Sequence, residues 1–471
     1  MPRTRFGGPA LLLAGSALMS ACASVPDLGP APAPRSVAER STPSNPAAWP
    51  AREWWGDYRD PQLDALMDEA LQAAPTIATA VARVRIAQGY AQQVGAALAP
   101  HIDATASAGL VQQSETMGVP AAFVPQGWQK TAKLGVGFSI DPDLWGARRA
   151  ELSAARADLD NAHYALAEAR LVLTANIAAT YAELARLHAQ RDVLESEVGI
   201  RVETFDLVRR GFAAGIEGET QLRQAESRVP AARADLAACD EAIALTRNAL
   251  AALTGAEPDR AAAIGRPSVS LLAPRAFPDH ATIDLIGRRP DIAMARAGAE
   301  AAAERIKVAR AAFYPNISLS GLIGLQSLGF SKLLTGGSAF GNVGPAVTLP
   351  IFHGGALAGQ YRGARGQYDL AIAHYDETLV EALRQVADAI ISRDALAVRI
   401  DQSRAALAAA TRAAALARHR YAGGLSPYLD VLTADESLLQ ARRNVADLEA
   451  RAFVIDVSII RALGGGFSAS A

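Results

Sequence analysis

Two hydrophobic periods share this chain. Over 101–111 the apolar positions fall every second residue: Ile102, Ala104, Ala106, Ala108 and Leu110 alternate with Asp103, Thr105, Ser107 and Gly109. Over 133–141, Leu134, Val136, Phe138 and Ile140 alternate with Lys133, Gly135, Gly137 and Ser139. Later stretches do the same, with Ile317, Leu319, Gly321, Ile323 and Leu325, then Val343, Pro345, Val347, Leu349 and Ile351. Period two is the mark of a strand with two unlike faces. These predict four strands of about 9–11 residues, long enough to cross a bilayer when tilted. Their second faces are small or polar, which suits a wet interior behind a lipid-facing exterior.

Helical periodicity takes over after each strand pair. It runs from about Ala147 to Arg210 and from Ala356 to Arg420, some 65 residues or roughly 100 Å each. Glycines at 211, 215, 423 and 424 end these helices, and second helices return over Glu219–Leu253 and Pro427–Leu463. Leu222, Val229, Leu236, Ile243 and Leu250 fall seven apart in the first returning helix. In the second, Val431, Leu438, Val445, Ala452 and Ile459 form one seam, and Leu425, Leu432, Leu439, Ala446, Phe453 and Ile460 another. Strict sevens predict left-handed supercoiling, and two seams on one helix predict a neighbour on each side. Pro230 is expected to kink or interrupt the first returning helix.

The chain is duplicated. Phe212-Ala213-Ala214-Gly215-Ile216 matches Tyr421-Ala422-Gly423-Gly424-Leu425 at an offset of 209, a register that also aligns Gly255 with Gly464. Upstream, Ala99-Pro100-His101-Ile102 matches Tyr314-Pro315-Asn316-Ile317 at an offset of 215. The expected organisation is a signal peptide over 1–21, a lipidated linker over 22–60 and repeat one over 61–258. A connector over 259–278, repeat two over 279–466 and a tail over 467–471 follow.

The N-terminus reads as an address. Arg3 and Arg5 precede an apolar run from Pro9 to Met19 that ends in small residues before Cys22. That is the pattern of a secretory signal. Leu18-Met19-Ser20-Ala21-Cys22 resembles a bacterial lipobox, which implies a lipid on Cys22. Ser24 in place of Asp then implies sorting to the outer membrane. The Pro-, Ala- and Ser-rich stretch beyond reads as an extended tether.

Composition removes whole classes of function. The 471 residues carry 46 basic and 48 acidic side chains, so the chain has no basic footprint for nucleic acid. Two cysteines, Cys22 and Cys239, make neither a disulfide framework nor a cysteine zinc site. Seven scattered histidines show no His-Glu-x-x-His spacing, and there is no Gly-x-Ser-x-Gly elbow or P-loop. No enzyme and no cofactor is expected beyond the lipid on Cys22, so energy for any transport must come from a partner.

Four strands cannot close a barrel, and open edges are not tolerated in lipid. Two copies would give eight strands and a filled interior; three give twelve strands and a lumen. The order of elements, with Asp143-Leu144-Trp145-Gly146, Pro350-Ile351-Phe352-His353-Gly354-Gly355 and the Tyr421–Leu425 motif, resembles the outer-membrane efflux channels of the TolC and OprM type. Within that family it resembles the NodT-like lipoprotein branch. The resemblance implies a mainly α fold with a small β part: a homotrimeric twelve-stranded β-barrel on a long periplasmic α-helical barrel. It further implies a periplasmic adaptor (membrane fusion protein), an inner-membrane pump of the RND type, and export of drugs or other toxic solutes. A type I secretion outlet, or a periplasmic coiled-coil scaffold, is the alternative.

By the same resemblance the hairpin tips meet the adaptor through Gly215-Ile216 and Gly424-Leu425. Leu429, Asp430, Thr433, Asp435 and Glu436 are the aperture candidates, with Leu429 as an apolar constriction and the acids as a ring. Related chains often carry Leu-Asp-Ala-Gln-Arg over 432–436; here Thr433 replaces the acid and Glu436 the base. Ordinary explanations stand beside these: glycine ends helices, and acids favour helix N-termini.

Overall fold

The computed structural model describes residues 25–35, 49–114, 120–268 and 288–468. Cys22, the signal segment and the second half of the connector lie outside them. The elements run α1 (Pro61–Ala73), α2 (Pro75–Ala96), β1 (His101–Val111), β2 (Gln129–Ile140), α3 (Ala147–Ala213), α4 (Glu219–Thr254), α5 (Pro290–Ala311), β3 (Asn316–Leu328), β4 (Ala339–Thr348), α6 (Ala356–Ala422) and α7 (Tyr428–Ala462). The chain divides into two compact units. One is built from residues 84–161 and 295–375 with the described N-terminal segment up to 34. The other takes in 49–83, 162–268, 288–294 and 376–468.

The first unit holds one antiparallel sheet in the order β1-β2-β3-β4. Its register puts every alternating apolar residue on one face. Ile102 lies opposite Phe138, Phe138 opposite Gly321, and Gly321 opposite Val343. One row down, Val136 joins Ala104 to Ile323. Directly opposed residues share a face, so four separate alternations become one continuous apolar surface. Gly321 is where it is because a Cβ there would come within 2.3 Å of the Phe138 ring.

Several strand limits differ from expectation. β2 starts four residues earlier, at Gln129, and β3 runs on to Leu328. β4 spans Ala339–Thr348 and stops short of Leu349 and Ile351, which continue the alternation beside Pro350 but not the ladder.

The turn from β2 into α3 is tied by Asp143, at φ +48°. Its carboxylate accepts the backbone N–H of Arg148 (2.9 Å) and Arg149 (3.0 Å), filling donors that a helix start leaves open. Trp145 stacks on Tyr314 at 4.7 Å and donates Nε1–H to the Pro315 carbonyl at 2.6 Å. Trp145 thus joins repeat one to repeat two, while Asp143 caps the helix inside repeat one. The N-terminal segment lies along α6, where Arg365 donates to the carbonyls of Gly29 and Pro30, and Tyr368 to that of Pro32.

The second unit is helical. Trp54, Tyr58, Leu63, Leu66, Met67, Ile177, Tyr181, Leu184, Leu250 and Ile460 form its core. Trp54, Trp55, Tyr58 and Asp60, at the end of the expected 22–60 segment, are buried. The Tyr58 hydroxyl donates to buried Asp456 at 2.6 Å. Asp60 accepts from the Tyr181 hydroxyl (2.7 Å) and from the backbone N–H of Ser268 (2.9 Å) and Gln62 (3.0 Å). Burial alone would raise the Asp60 carboxyl, but these donors outweigh it and hold it below the usual aspartate range. Cys239 is a buried core residue whose thiol reaches the Leu187 carbonyl.

Both heptad seams are buried or half-buried along α4 and α7, except Leu425, which lies before α7 and is exposed. Pro230 sits inside α4 without interrupting it, a correction to the stronger expectation. Among the described residues no helix is long and apolar enough to cross a membrane.

Candidate functional site: the hairpin tips

The tips are two copies of one capping geometry. At the end of α3, Gly215 has φ +75°; its N–H bonds the Phe212 carbonyl and the Ile216 N–H bonds that of Gly211. At the end of α6, Gly424 has φ +70°, with Gly424 N–H on Tyr421 and Leu425 N–H on Arg420. Both are Schellman caps, which a residue with a Cβ would strain. Each turn throws its next side chain outward: Ile216 is 79% exposed and Leu425 72%. Two aliphatic knobs on rigid turns, exposed among the described residues, are the result.

Behind the knobs the two hairpins are pinned together. Val208, Ala225 and Tyr428 form a small buried cluster with Phe205, Leu222, Tyr421 and Leu432 against it. The Tyr421 hydroxyl donates to Glu217 Oε1 at 2.8 Å, joining the end of α6 to the first tip. Burial and the Glu217 carboxylate both push the Tyr421 phenol well above its ordinary range, so it stays a donor. Arg228 of α4 meets Glu436 of α7 at 2.6 Å. Deeper, Glu197 takes Arg443 at 2.7 Å and Arg201 at 3.3 Å.

The aperture candidates do not share one environment. Leu429 is 65% exposed, and Asp430 and Thr433 are exposed on the same side of α7. Thr433 turns its hydroxyl back onto the Leu429 carbonyl at 2.9 Å. Glu436 is exposed and neutralised by Arg228. Asp435 is buried and accepts from Arg418 at 2.6 and 3.0 Å. Burial raises its carboxyl, and Arg418 only partly offsets this. Leu429, Asp430, Thr433 and Glu436 thus come together on an exposed surface, while Asp435 belongs to the helix interface. Residue types gave no role to Arg418, Glu217 or Arg228, and Tyr421 stood out only as part of the Tyr421–Leu425 motif. The one available signal was a basic residue in the last turns of a helix facing acid in the first turns of the next. A cleft of about 930 Å³ lies between the two tips, reaching from Ile216 and Glu217 to Leu425 and Leu429.

The profile of the outer membrane efflux protein family matches the chain twice, over residues 66–256 and 283–465. The chain belongs to that family. Its relatives include the fusaric acid resistance protein FusA of Burkholderia cepacia, 35% identical over 382 residues, covering 77% of this chain and 70% of FusA. The pyoverdine export outer membrane protein OpmQ of Pseudomonas aeruginosa is 29% identical over 468 residues, covering 97% and 96%. Among solved structures, the outer membrane protein VceC of Vibrio cholerae superposes with a TM-score of 0.85 at 41% identity, covering 89% of this chain and all of VceC. The fold is that of the TolC-type channels, and the protein is an outer-membrane efflux channel subunit.

Proposed function

We propose that three copies of this chain assemble into a continuous exit duct of a tripartite efflux system. A twelve-stranded barrel crosses the outer membrane and a helical barrel reaches into the periplasm. The observation that carries this reading is the sheet: one face is apolar over most of its length, the other mostly small and polar, and among the described residues both edges, β1 and β4, are unpaired. Lipid tolerates such edges only where another copy pairs with them. The lipid on Cys22 anchors the chain, and the chain itself is non-catalytic. A periplasmic adaptor grips Ile216 and Leu425, and an RND-type inner-membrane pump supplies the energy. The cargo is small toxic solutes, in keeping with relatives named for fusaric acid resistance and pyoverdine export.

Leu429 forms the narrowest apolar ring at the periplasmic end, with Asp430 giving it cation preference. The test is the current carried by the purified protein in a planar bilayer. Discrete conductance steps are expected, and Leu429→Ala is expected to enlarge them by about twofold or more, as a removed apolar constriction should. A protein that never conducts overturns the duct; steps of unchanged size with the variant remove Leu429 from the aperture.

A further inference from the structure

The polar face of the sheet is not uniform. Most of its positions hold Ser, Thr, Gly, Asn or Gln, such as Thr105, Ser107, Gly137, Ser320 and Asn342. Leu322, Leu328 and Phe340 are among the residues that interrupt it; Phe340 lies beside Lys133, and Leu322, opposite Gly137, leans over Gly135. Lys133 is opposed by Ser107 on one side and Gln326 on the other. Its Nζ stands 5.1 Å from the centre of the Phe340 ring. Among the described residues it has no carboxylate partner; the acid on that face, Asp103, is four residues along β1 from Ser107, about 13 Å away.

Glycines make this patch flat. Leu322 Cδ1 lies 3.1 Å from where a Gly135 Cβ would stand and 3.6 Å from that of Gly137. The Phe340 ring edge is 3.0 Å from that of Gly324. Bulkier residues at these positions would lift both side chains off the sheet. As built, an aliphatic and an aromatic surface lie against the wall with one ammonium beside them. Lys133 is the fifth residue of β2, counted from the loop that joins β1 to β2.

We infer that Lys133, Phe340 and Leu322 form a wall subsite of the duct that favours amphipathic anions, of the class of aromatic carboxylates. The inference rests on the duct reading, which turns this face to the lumen and repeats the patch three times around it. The apolar surface takes the ring, and the ammonium takes the carboxylate in place of water. Because the patch is open and half-buried, it acts as a weak site that solutes enter and leave, as conduction requires.

The experiment is block of single-channel current by naphthoate, with uncharged naphthol as the matched probe. Lys133→Gln is expected to raise the half-blocking concentration of naphthoate about fivefold, the size of one exposed charge contact. Naphthol should be unaffected by that variant, and Lys133→Arg should keep the wild-type behaviour. Phe340→Ala should weaken both probes. Equal block of wild type and Lys133→Gln by naphthoate, or an equal shift with naphthol, overturns the subsite. Those outcomes presuppose a conducting wild-type channel, so absence of any current counts against the duct instead.

Discussion

Arg418 and Asp435 are seventeen positions apart and face each other only because the tip turn folds α7 back on α6. Sequence alone presented Asp435 as one of several acids near a helix start. Its burial and its partner depend on a hairpin packed against a second hairpin, and no local pattern carries that. The consequence for pH has a definite sign. The folded carboxyl is raised above its ordinary value of 3.8, so the folded state takes up this proton more readily than the unfolded chain. The cost of its charge is present at neutral pH and is relieved as pH falls through the folded value towards 3.8. Asp60 behaves oppositely: its contribution is present above 3.8 and lost as pH falls through its lowered folded value. Between neutrality and 3.8, therefore, Asp435 adds stability on acidification while Asp60 remains ionised and paired. Asp435→Asn should flatten that part of the thermal-midpoint profile. At neutral pH it should cost about 1–2 kcal/mol, because Arg418 is left without its carboxylate. A variant whose midpoint still climbs with falling pH as the wild type does would place the titration elsewhere.

At the scale of elements, what could be read in advance follows from period and punctuation. β1 matches its alternation residue for residue, and both long helices run to within three residues of the expected ends, because glycine stops are local. β4 was harder to place. Phe340 on the polar face obscured its start, and Leu349 and Ile351 prolonged the alternation past a proline that ends the ladder. Glycine has two meanings here, and only structure separates them. A Cβ on Gly424 would meet open space, so its left-handed backbone is the whole constraint. At Gly255, φ is +78° and a Cβ would stand 2.8 Å from the Ala73 carbonyl and 3.0 Å from Pro75 Cδ. Gly424→Ala should then cost about 1 kcal/mol, and Gly255→Ala about 2–4 kcal/mol through strain and overpacking together. Thermal midpoints of the two variants compare them directly; equal losses would mean that the α4–α1 contact yields without cost.

Over the whole molecule, the duplication fixes something that one chain cannot display. Shifting β1 by 215 positions and β2 by 209 carries repeat one onto repeat two. The sheet obeys this: the observed pair Thr105 and Gly135 becomes Ser320 and Gly344, which are also paired. The β2–β3 junction, between repeats, must have its own counterpart wherever a second copy continues the sheet. Phe138 opposite Gly321 then transposes to Val347 of one subunit opposite the partner's Ala106. Both belong to the apolar face, so parity is kept; a slip of one residue would turn that face inward. Directly opposed residues bring their Cβ atoms to about 4.5–5.5 Å, close enough for a disulfide after small adjustment. Val347→Cys combined with Ala106→Cys should therefore give covalent dimers and trimers on oxidation in the outer membrane. Val347→Cys with Thr105→Cys should not, since those side chains leave opposite faces. Cross-linking by the second pair in place of the first would mean that the copies meet in another register, and cross-linking by neither would mean that the edges of this sheet are closed by something other than a second copy.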